Sequence, residues 1–274
     1  MIDIHCHCLP GIDDGPKTWD DSLLLCGALV ADGITTVVAT PHLIDGVYPN
    51  VAPRVAELVA ELEARLITAN IPLRVLPGAE VAMSCRHLTD DRFDLVPRLA
   101  GQPYVLIELP TTLIPPGLET LFFSIARRGV TPVVAHPERY FPVQQNVALA
   151  QAWRRAGALL QIDAESVLGL FGPETERTAF RLIHAQLAHA LASDSHSSRK
   201  RRPRLEAARG VVATRAGEQV ATFLTHEGPG RLVAGEPAGD VPPPTVFPEP
   251  RRGPVARLWA HARRRYVTSA SSTS

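Results

Sequence analysis

Gly33-Ile-Thr-Thr-Val-Val-Ala-Thr-Pro-His42 is the stretch on which the fold turns. Residues 34–39 form a continuous, largely β-branched run, as expected of a strand covered on both faces, and Thr40-Pro41 ends it with His42 at its exit. Strands covered on both faces belong to parallel sheets, whose neighbours are joined by crossovers that are usually helical. The flanks supply those helices. Upstream, residues 2–5 read as a strand and 18–31 as a helix capped by Thr18 and stopped by Gly33. Downstream, Asn50 caps an amphipathic helix to about residue 69, with Val55, Leu58, Val59, Leu62 and Leu66 on one face.

The same alternation continues. Residues 73–76, 104–109, 130–135, 158–163 and 187–192 supply five more strands, and 117–128, 144–156 and 173–186 supply helices between them. These make seven β-α units, so the expected architecture is α/β, a distorted (β/α)7-type barrel in a single domain over residues 1–235. Helices at 204–215 and 218–224 would close its outer layer. From residue 236 the prolines crowd (Pro237, Pro242, Pro243, Pro244, Pro248, Pro250, Pro254), which predicts a linker and tail over 236–274. Within that tail, residues 255–266 could form a short helix. Its apolar side (Val255, Leu258, Trp259, Ala262) beside Arg257, Arg264 and Arg265 suits a weak contact with an anionic membrane or a partner, the alternative being a solvated tail.

A formal net charge of zero and a pI near 7.2 argue against a general nucleic-acid binder. The absence of a leader-like segment and of any long apolar run predicts a soluble cytoplasmic protein. The four cysteines (Cys6, Cys8, Cys26, Cys85) lack zinc-ribbon spacing, and none begins Cys-x5-Arg, the phosphate loop of thiol phosphatases. Alternation along an extended segment would put Ile4, Cys6 and Cys8 on one face and Asp3, His5 and His7 on the other. Cys6 and Cys8 therefore read as small core residues rather than nucleophiles.

The chemistry lies at the strand exits. His5 and His7 share a face roughly 6–7 Å apart and can reach one ion. His42, Glu80, Glu108, His136, and then Asp194 with His196, follow later strands, and Asp14 lies in the first loop. On a barrel these positions converge on one rim, where such folds place their active sites. Mixed imidazole and carboxylate donors suit Mn²⁺, Fe²⁺ or Zn²⁺, and nine donors suit two or three ions sharing a carboxylate. Close ions of this kind activate water and clamp phosphoryl oxygens, which points to phosphoester hydrolysis.

Four segments carry a family resemblance: Met1-Ile-Asp-Ile-His-Cys-His-Cys-Leu-Pro-Gly-Ile-Asp-Asp-Gly-Pro16, the 33–42 stretch, Ala135-His-Pro-Glu-Arg-Tyr140 and Ala192-Ser-Asp-Ser-His196. Together they resemble the polymerase and histidinol phosphatase (PHP) superfamily, and more narrowly its bacterial CpsB/CapC branch of metal-dependent protein-tyrosine phosphatases, over about residues 1–235. The resemblance implies His5, His7, Glu80 and Asp194 for a first ion, Glu80, Glu108 and His136 for a second, and Asp14, His42 and His196 for a third. Asp13 competes for the Asp14 role. It also implies that Arg139 binds phosphate and that Arg201 does so with it, Arg199 and Arg202 being alternatives because this chain reads Ser197-Ser-Arg-Lys-Arg-Arg-Pro where the family commonly has asparagine after the histidine. A guanidinium fork suits phosphate oxygens.

The implied reaction is in-line attack on phosphorus by a metal-bridging hydroxide, most readily with Mn²⁺, on the phosphotyrosine tail of a polysaccharide-assembly tyrosine kinase. A homo-oligomer is implied as well, although the sequence itself shows no interface signal. Two other readings compete: a small-molecule phosphatase of histidinol-phosphate type, and a non-catalytic docking subunit stabilised by metal.

Overall fold

The structure is a computed structural model that describes residues 1–246. In chain order the elements are β1 (Ile2–Cys6), α1 (Trp19–Ala31), β2 (Thr36–Ala39), β3 (His42–Ile44), β4 (Tyr48–Pro49), α2 (Ala52–Thr68), β5 (Arg74–Pro77) and β6 (Glu80–Ala82). Then come β7 (Tyr104–Glu108), α3 (Leu118–Ala126), β8 (Thr131–Ala135), α4 (Phe141–Gln145), α5 (Ala148–Arg155), β9 (Leu159–Asp163), α6 (Ala164–Val167) and α7 (Pro173–His184). β10 (Ala190–Ala192), α8 (Leu205–Ala216), α9 (Glu218–Thr222) and α10 (Gly228–Ala234) follow within the described residues. The seven expected strands are therefore all present, as β1, β2, β5, β7, β8, β9 and β10.

β3, β4 and β6 were not read from sequence, being only two or three residues long. β3 continues the path of β2 past Thr40-Pro41, and β6 continues β5 past Gly78-Ala79. Proline has no N–H for the ladder, so pairing breaks there and resumes one step along, with Glu80 N donating to Pro41 O at 3.1 Å. Gly78 permits the second bend because a Cβ there would lie 2.7 Å from Val38 Cγ1. The ladder is thus split into a β1-β2-β5 arc and a β10-β9-β8-β7-β6-β3-β4 arc, parallel except for the β3-β4 pair. The ends meet at a seam: Asp194 N donates to His5 O and His7 N to Ser195 O, both at 2.9 Å. The result is a distorted (β/α)7-type barrel with an interrupted ladder.

Two cores follow from this layout. An inner one joins Ile4, Val38, Leu106, Val133, Leu159 and Leu232 below the rim. The outer one, between strands and helices, takes Leu25, Val37, Phe122, Trp153 and the α2 stripe Val55, Leu58, Val59, Leu62 and Leu66. The expected common face of Ile4, Cys6 and Cys8 is corrected here: Ile4 joins the inner core and both cysteines the outer one. The β1-β2 register shifts between Asp3 and Cys6, and such an irregularity re-aims side chains without ending a strand.

Local expectations divide likewise. Thr18 does cap α1, accepting from Asp21 N at 3.2 Å while its hydroxyl donates to the Asp21 carboxylate. Asn50 does not cap α2; its amide donates to Ile12 O and His42 O, tying the first loop to β3, and Val51 precedes the helix without a side-chain cap. The 144–156 helix is broken into α4 and α5 by Asn146, whose side chain accepts from Ala148 N. After α9 the chain winds as a π-helix over Phe223–Glu227 before α10.

Residues 236–246 hold no helix or strand. They nevertheless lie on the domain, with Gln186 Nε2 donating to Val241 O at 2.7 Å and Thr245 N to Ala216 O at 2.9 Å. The helix expected at 255–266 lies outside the described residues. Among the described residues no helix is long and apolar enough to cross a membrane.

Candidate metal centre

The rim of the barrel gathers the candidate donors because all but Asp14, which lies in the loop after β1, sit at or near strand ends. His5 stands in the shifted part of β1 and His7 just beyond it, while His42 opens β3 opposite Glu80, which opens β6. Glu108 ends β7, His136 follows β8, and Asp194 and His196 follow β10. His136 and Asp194 turn off their strands through left-handed backbone at φ 32° and 49°, a conformation that costs a non-glycine residue about 1–3 kcal/mol and is concentrated at functional sites. All nine sequence-selected donors fall into overlapping groups close enough to share ions: His7, Asp14, His42, His196; His5, His7, Glu80; His5, His136, Asp194; and His42, Glu80, Glu108.

Four of these donor atoms lie close together. His5 Nε2 and His7 Nε2 are 3.3 Å apart. Glu80 Oε2 lies 3.3 Å from each, and Asp194 Oδ1 lies 3.4 Å from His5 Nε2 and 3.5 Å from His7 Nε2. Two donors about 2.0–2.1 Å from one tetrahedral ion are about 3.3–3.4 Å apart, so each of these spacings is one that a pair of ligands to a shared divalent cation can have. Polar atoms left over in burial agree with that fit: Asp194 Oδ1, His42 Nδ1 and His136 Nδ1 have no hydrogen-bond partner. Elsewhere the grouping departs from the one the resemblance implied. His136 Nε2 lies 2.8 Å from Glu80 Oε1 but is also grouped with His5 and Asp194, while Glu108 is grouped with His42 and Glu80.

Neighbouring side chains set the tautomers. The Nδ1 of His5 meets Gln161 Oε1 at 2.9 Å, and that of His7 meets Asp13 Oδ2 at 2.8 Å, which leaves each Nε2 for the centre. Asp13 is thereby occupied in orienting His7, also accepting from Gly15 N and His42 N. Asp14 is the one whose Oδ1 faces His196 Nε2 at 3.1 Å and His42 Nε2 at 3.6 Å.

The electrostatics call for positive charge at the centre. Burial pushes the Glu80 and Asp194 carboxyls up, but the His5 charge and hydrogen bonds from neighbouring imidazoles outweigh it and hold both well below the usual range. Burial likewise pulls His5 down, yet Glu80 and Asp194 raise it to about 9. In the metal-free chain a proton on His5 thus offsets carboxylate charge that a divalent ion would otherwise balance. His136 is pushed down to about 4 by burial and by Arg139, so its imidazole is neutral and fit to ligate. Burial and then the Glu80 charge raise Glu108 to about 7.

Both predicted arginines reach this centre. Arg139 Nη1 donates to Asp194 Oδ2 at 2.7 Å and lies 3.4 Å from Asp163 Oδ2, and its guanidinium carbon sits 4.7 Å over the Phe171 ring. Arg201 Nη2 donates to the same Asp194 oxygen at 2.6 Å, and its Nη1 to His196 Nε2 at 2.9 Å. Of the alternatives, Arg202 lines a separate depression with Asp32, and Arg199 stands farther out on a cleft beside the centre.

Sequence reasoning missed a supporting layer. Asp163, at the end of β9, fits the strand-exit rule that selected the others and could have been found by it. It is buried, its carboxyl pushed up by burial and by Asp194, and its Oδ1 accepts from Glu165 N at 2.9 Å. Gln161 and Glu138 carried no such signal. Buried Glu138 accepts from Asp163 N at 2.9 Å, and burial raises its pKa to about 7. Tyr140 ties two strand ends together, donating to Ala135 O and accepting from Leu109 N.

The family described as capsular polysaccharide synthesis, CpsB/CapC, matches residues 1–234. Tyrosine-protein phosphatase YwqE of Bacillus subtilis (strain 168) is 37% identical over 230 residues, covering 82% of this chain and 89% of its own. The putative tyrosine-protein phosphatase CapC of Staphylococcus aureus is 33% identical over 197 residues, covering 72% of this chain and 77% of its own. A crystal structure from work on YwqE of Bacillus subtilis and CpsB of Streptococcus pneumoniae, described there as unique metal-dependent tyrosine phosphatases, superposes with a TM-score of 0.84 at 36% identity, covering 92% of this chain and 100% of that one. With the family pattern spanning the whole barrel and its rim, the chain belongs to the CpsB/CapC family.

Proposed function

We propose that this chain is a metal-dependent protein-tyrosine phosphatase whose substrate is the phosphotyrosine tail of a bacterial polysaccharide-assembly tyrosine kinase. The observation that carries the reading is the buried cluster of His5, His7, Glu80 and Asp194, its imidazoles 3.3–3.5 Å from the carboxylates, with two guanidiniums beside it. Its relatives' names supply the substrate class. His5, His7, Glu80 and Asp194 would hold one ion, with Glu108, His136, Asp14, His42 and His196 completing sites for one or two more; Mn²⁺ is put first, ahead of Fe²⁺ and Zn²⁺. Bound there, divalent ions lower the pKa of water and draw charge from phosphoryl oxygens.

The chain's own residues have three tasks. Arg139 and Arg201 orient the phosphoryl group through paired N–H donors and offset the negative charge that builds as the P–O bond to the tyrosine lengthens. Gln161 and Asp13 fix the imidazoles. The barrel rim holds these groups on strand ends, so little reorganises during the reaction. Water adds its oxygen to phosphorus, the bond to the phenolic oxygen breaks, and the phenolate leaves; with a conjugate acid of pKa about 10 it needs little acid assistance. No residue supplies a thiolate, because all four cysteines are buried and burial pushes Cys6 up to about 11.

The test is hydrolysis of a phosphotyrosine peptide by purified protein stripped of metal and then supplied with Mn²⁺, Fe²⁺ or Zn²⁺ in turn. Loss on stripping and recovery with one ion is expected. Undiminished turnover after exhaustive removal, verified by elemental analysis, would falsify the metal mechanism.

A further inference from the structure

We propose that the cleft beside Arg201 is a subsite for acidic residues flanking the phosphotyrosine, so that the substrate is an acidic stretch of polypeptide; this rests on the phosphatase reading above. The cleft has a volume of about 610 Å³ and begins at Asp14, His196 and Arg201, which makes it continuous with the candidate metal centre. It then runs outward between the start of α1 and the turn after β10.

Its charge is one-sided. Lys17, Arg199, Lys200 and Arg201 line it, against the carboxylates of Asp14 and Asp21. Asp14 faces inward to His196, and Asp21 is taken up by the Thr18 hydroxyl at the helix cap. Arg199 and Lys200, both exposed, form no side-chain ion pair among the described residues. The turn that presents them is tied down. His196 N and Ser197 N both donate to Arg201 O, at 2.9 and 3.2 Å, and Ser197 Oγ accepts from Lys200 N at 3.1 Å. Lys17 is likewise fixed, its ammonium donating to Asp13 O at 2.7 Å. Exposed Leu24 adds an apolar wall.

A phosphotyrosine whose phosphoryl group meets Arg139 and Arg201 would lay the adjoining residues of one flank along this cleft. Three further cations there, beyond the phosphoryl clamp, complement carboxylate side chains rather than neutral or basic ones, and their field would raise the rate of encounter at low salt.

The experiment compares three substrates with the metal-loaded full chain: a phosphotyrosine peptide flanked by glutamates, the same peptide with glutamines, and p-nitrophenyl phosphate, which has no flank. At low ionic strength kcat/KM for the acidic peptide is expected to exceed that for the neutral one by about tenfold, the gap shrinking with added salt. The double variant Arg199→Glu, Lys200→Glu should reverse the preference and leave p-nitrophenyl phosphate turnover unchanged. Equal rates on both peptides, with p-nitrophenyl phosphate still hydrolysed, would overturn the subsite and leave the phosphatase reading standing. Failure to hydrolyse any of the three would overturn both. If the double variant instead loses binding to vesicles of anionic lipid with peptide kinetics unmoved, the cleft is a lipid-facing surface and the subsite is wrong.

Discussion

Arg139 and His136 stand three residues apart yet are assigned different work, and that difference can be measured. Arg139 touches a carboxylate of the centre and its guanidinium is already charged, so Arg139→Ala should retain bound metal while kcat/KM for a phosphotyrosine peptide falls about 100-fold, a loss on the order of 3 kcal/mol in transition-state stabilisation. His136→Ala should lose metal as well as turnover, read by elemental analysis beside the assay. Parent-like hydrolysis by Arg139→Ala would reduce that arginine to surface charge. One step farther out, Gln161→Leu removes the partner of His5 Nδ1 and frees the ring to rotate. Affinity for the first ion should fall by about 10- to 100-fold in a calorimetric titration with Mn²⁺. Unchanged affinity would show that packing alone orients His5. Most of the nine donors were legible in the sequence because they follow apolar strands, with His5 and His7 marked by their His-x-His spacing. Gln161 was not, because it lies inside such a strand, and a polar residue there looks the same in sequence whether it faces a ligand or a water.

At the level of elements, the seven long strands and the buried stripe of α2 could be read from periodicity because burial repeats along them. What escaped was set by contacts between distant segments. Asn50 has a helix-cap side chain in a helix-cap position, but the carbonyls of Ile12 and His42 compete for its amide and win. The bulged part of β1 is set by pairing with β2, which a local alternation rule cannot see. A similar tertiary constraint acts on Gly228, at the end of the π-helix, where a Cβ would come 2.1 Å from His189 O. Gly228→Ala is therefore expected to cost about 1–3 kcal/mol in denaturant unfolding, through displacement of α10 from the inner core. A variant as stable as the parent would mean that α10 shifts freely.

For the molecule as a whole, stability should depend on pH through a histidine outside the centre. His189 is buried, and burial first and the Arg154 charge second lower its pKa to about 3. A depressed folded-state pKa contributes stability that is full above the unfolded value of about 6.5 and is lost as pH falls through the window down to about 3. Between pH 7 and pH 5 the parent should lose about 2 kcal/mol more than His189→Gln in urea unfolding of the metal-free protein. Equal losses would show that His189 is not kept neutral. Metal itself should raise the unfolding temperature, since ions that bind only the folded chain stabilise it by mass action.

The seam between the two arcs bears on how the protein is made. Asp3 accepts from Ser193 N across 190 positions of chain, and the same seam carries His5, His7, Asp194 and His196. On a ribosome the first two histidines emerge long before the last two donors exist as peptide, so no nascent intermediate has the full set of donors to offer. Ion capture must then come at the close of synthesis, after β10 has docked, and the metal acts as a seal on a finished barrel rather than a nucleus for it. Chains released after residue 186 should accordingly bind Mn²⁺ no better than unfolded protein does.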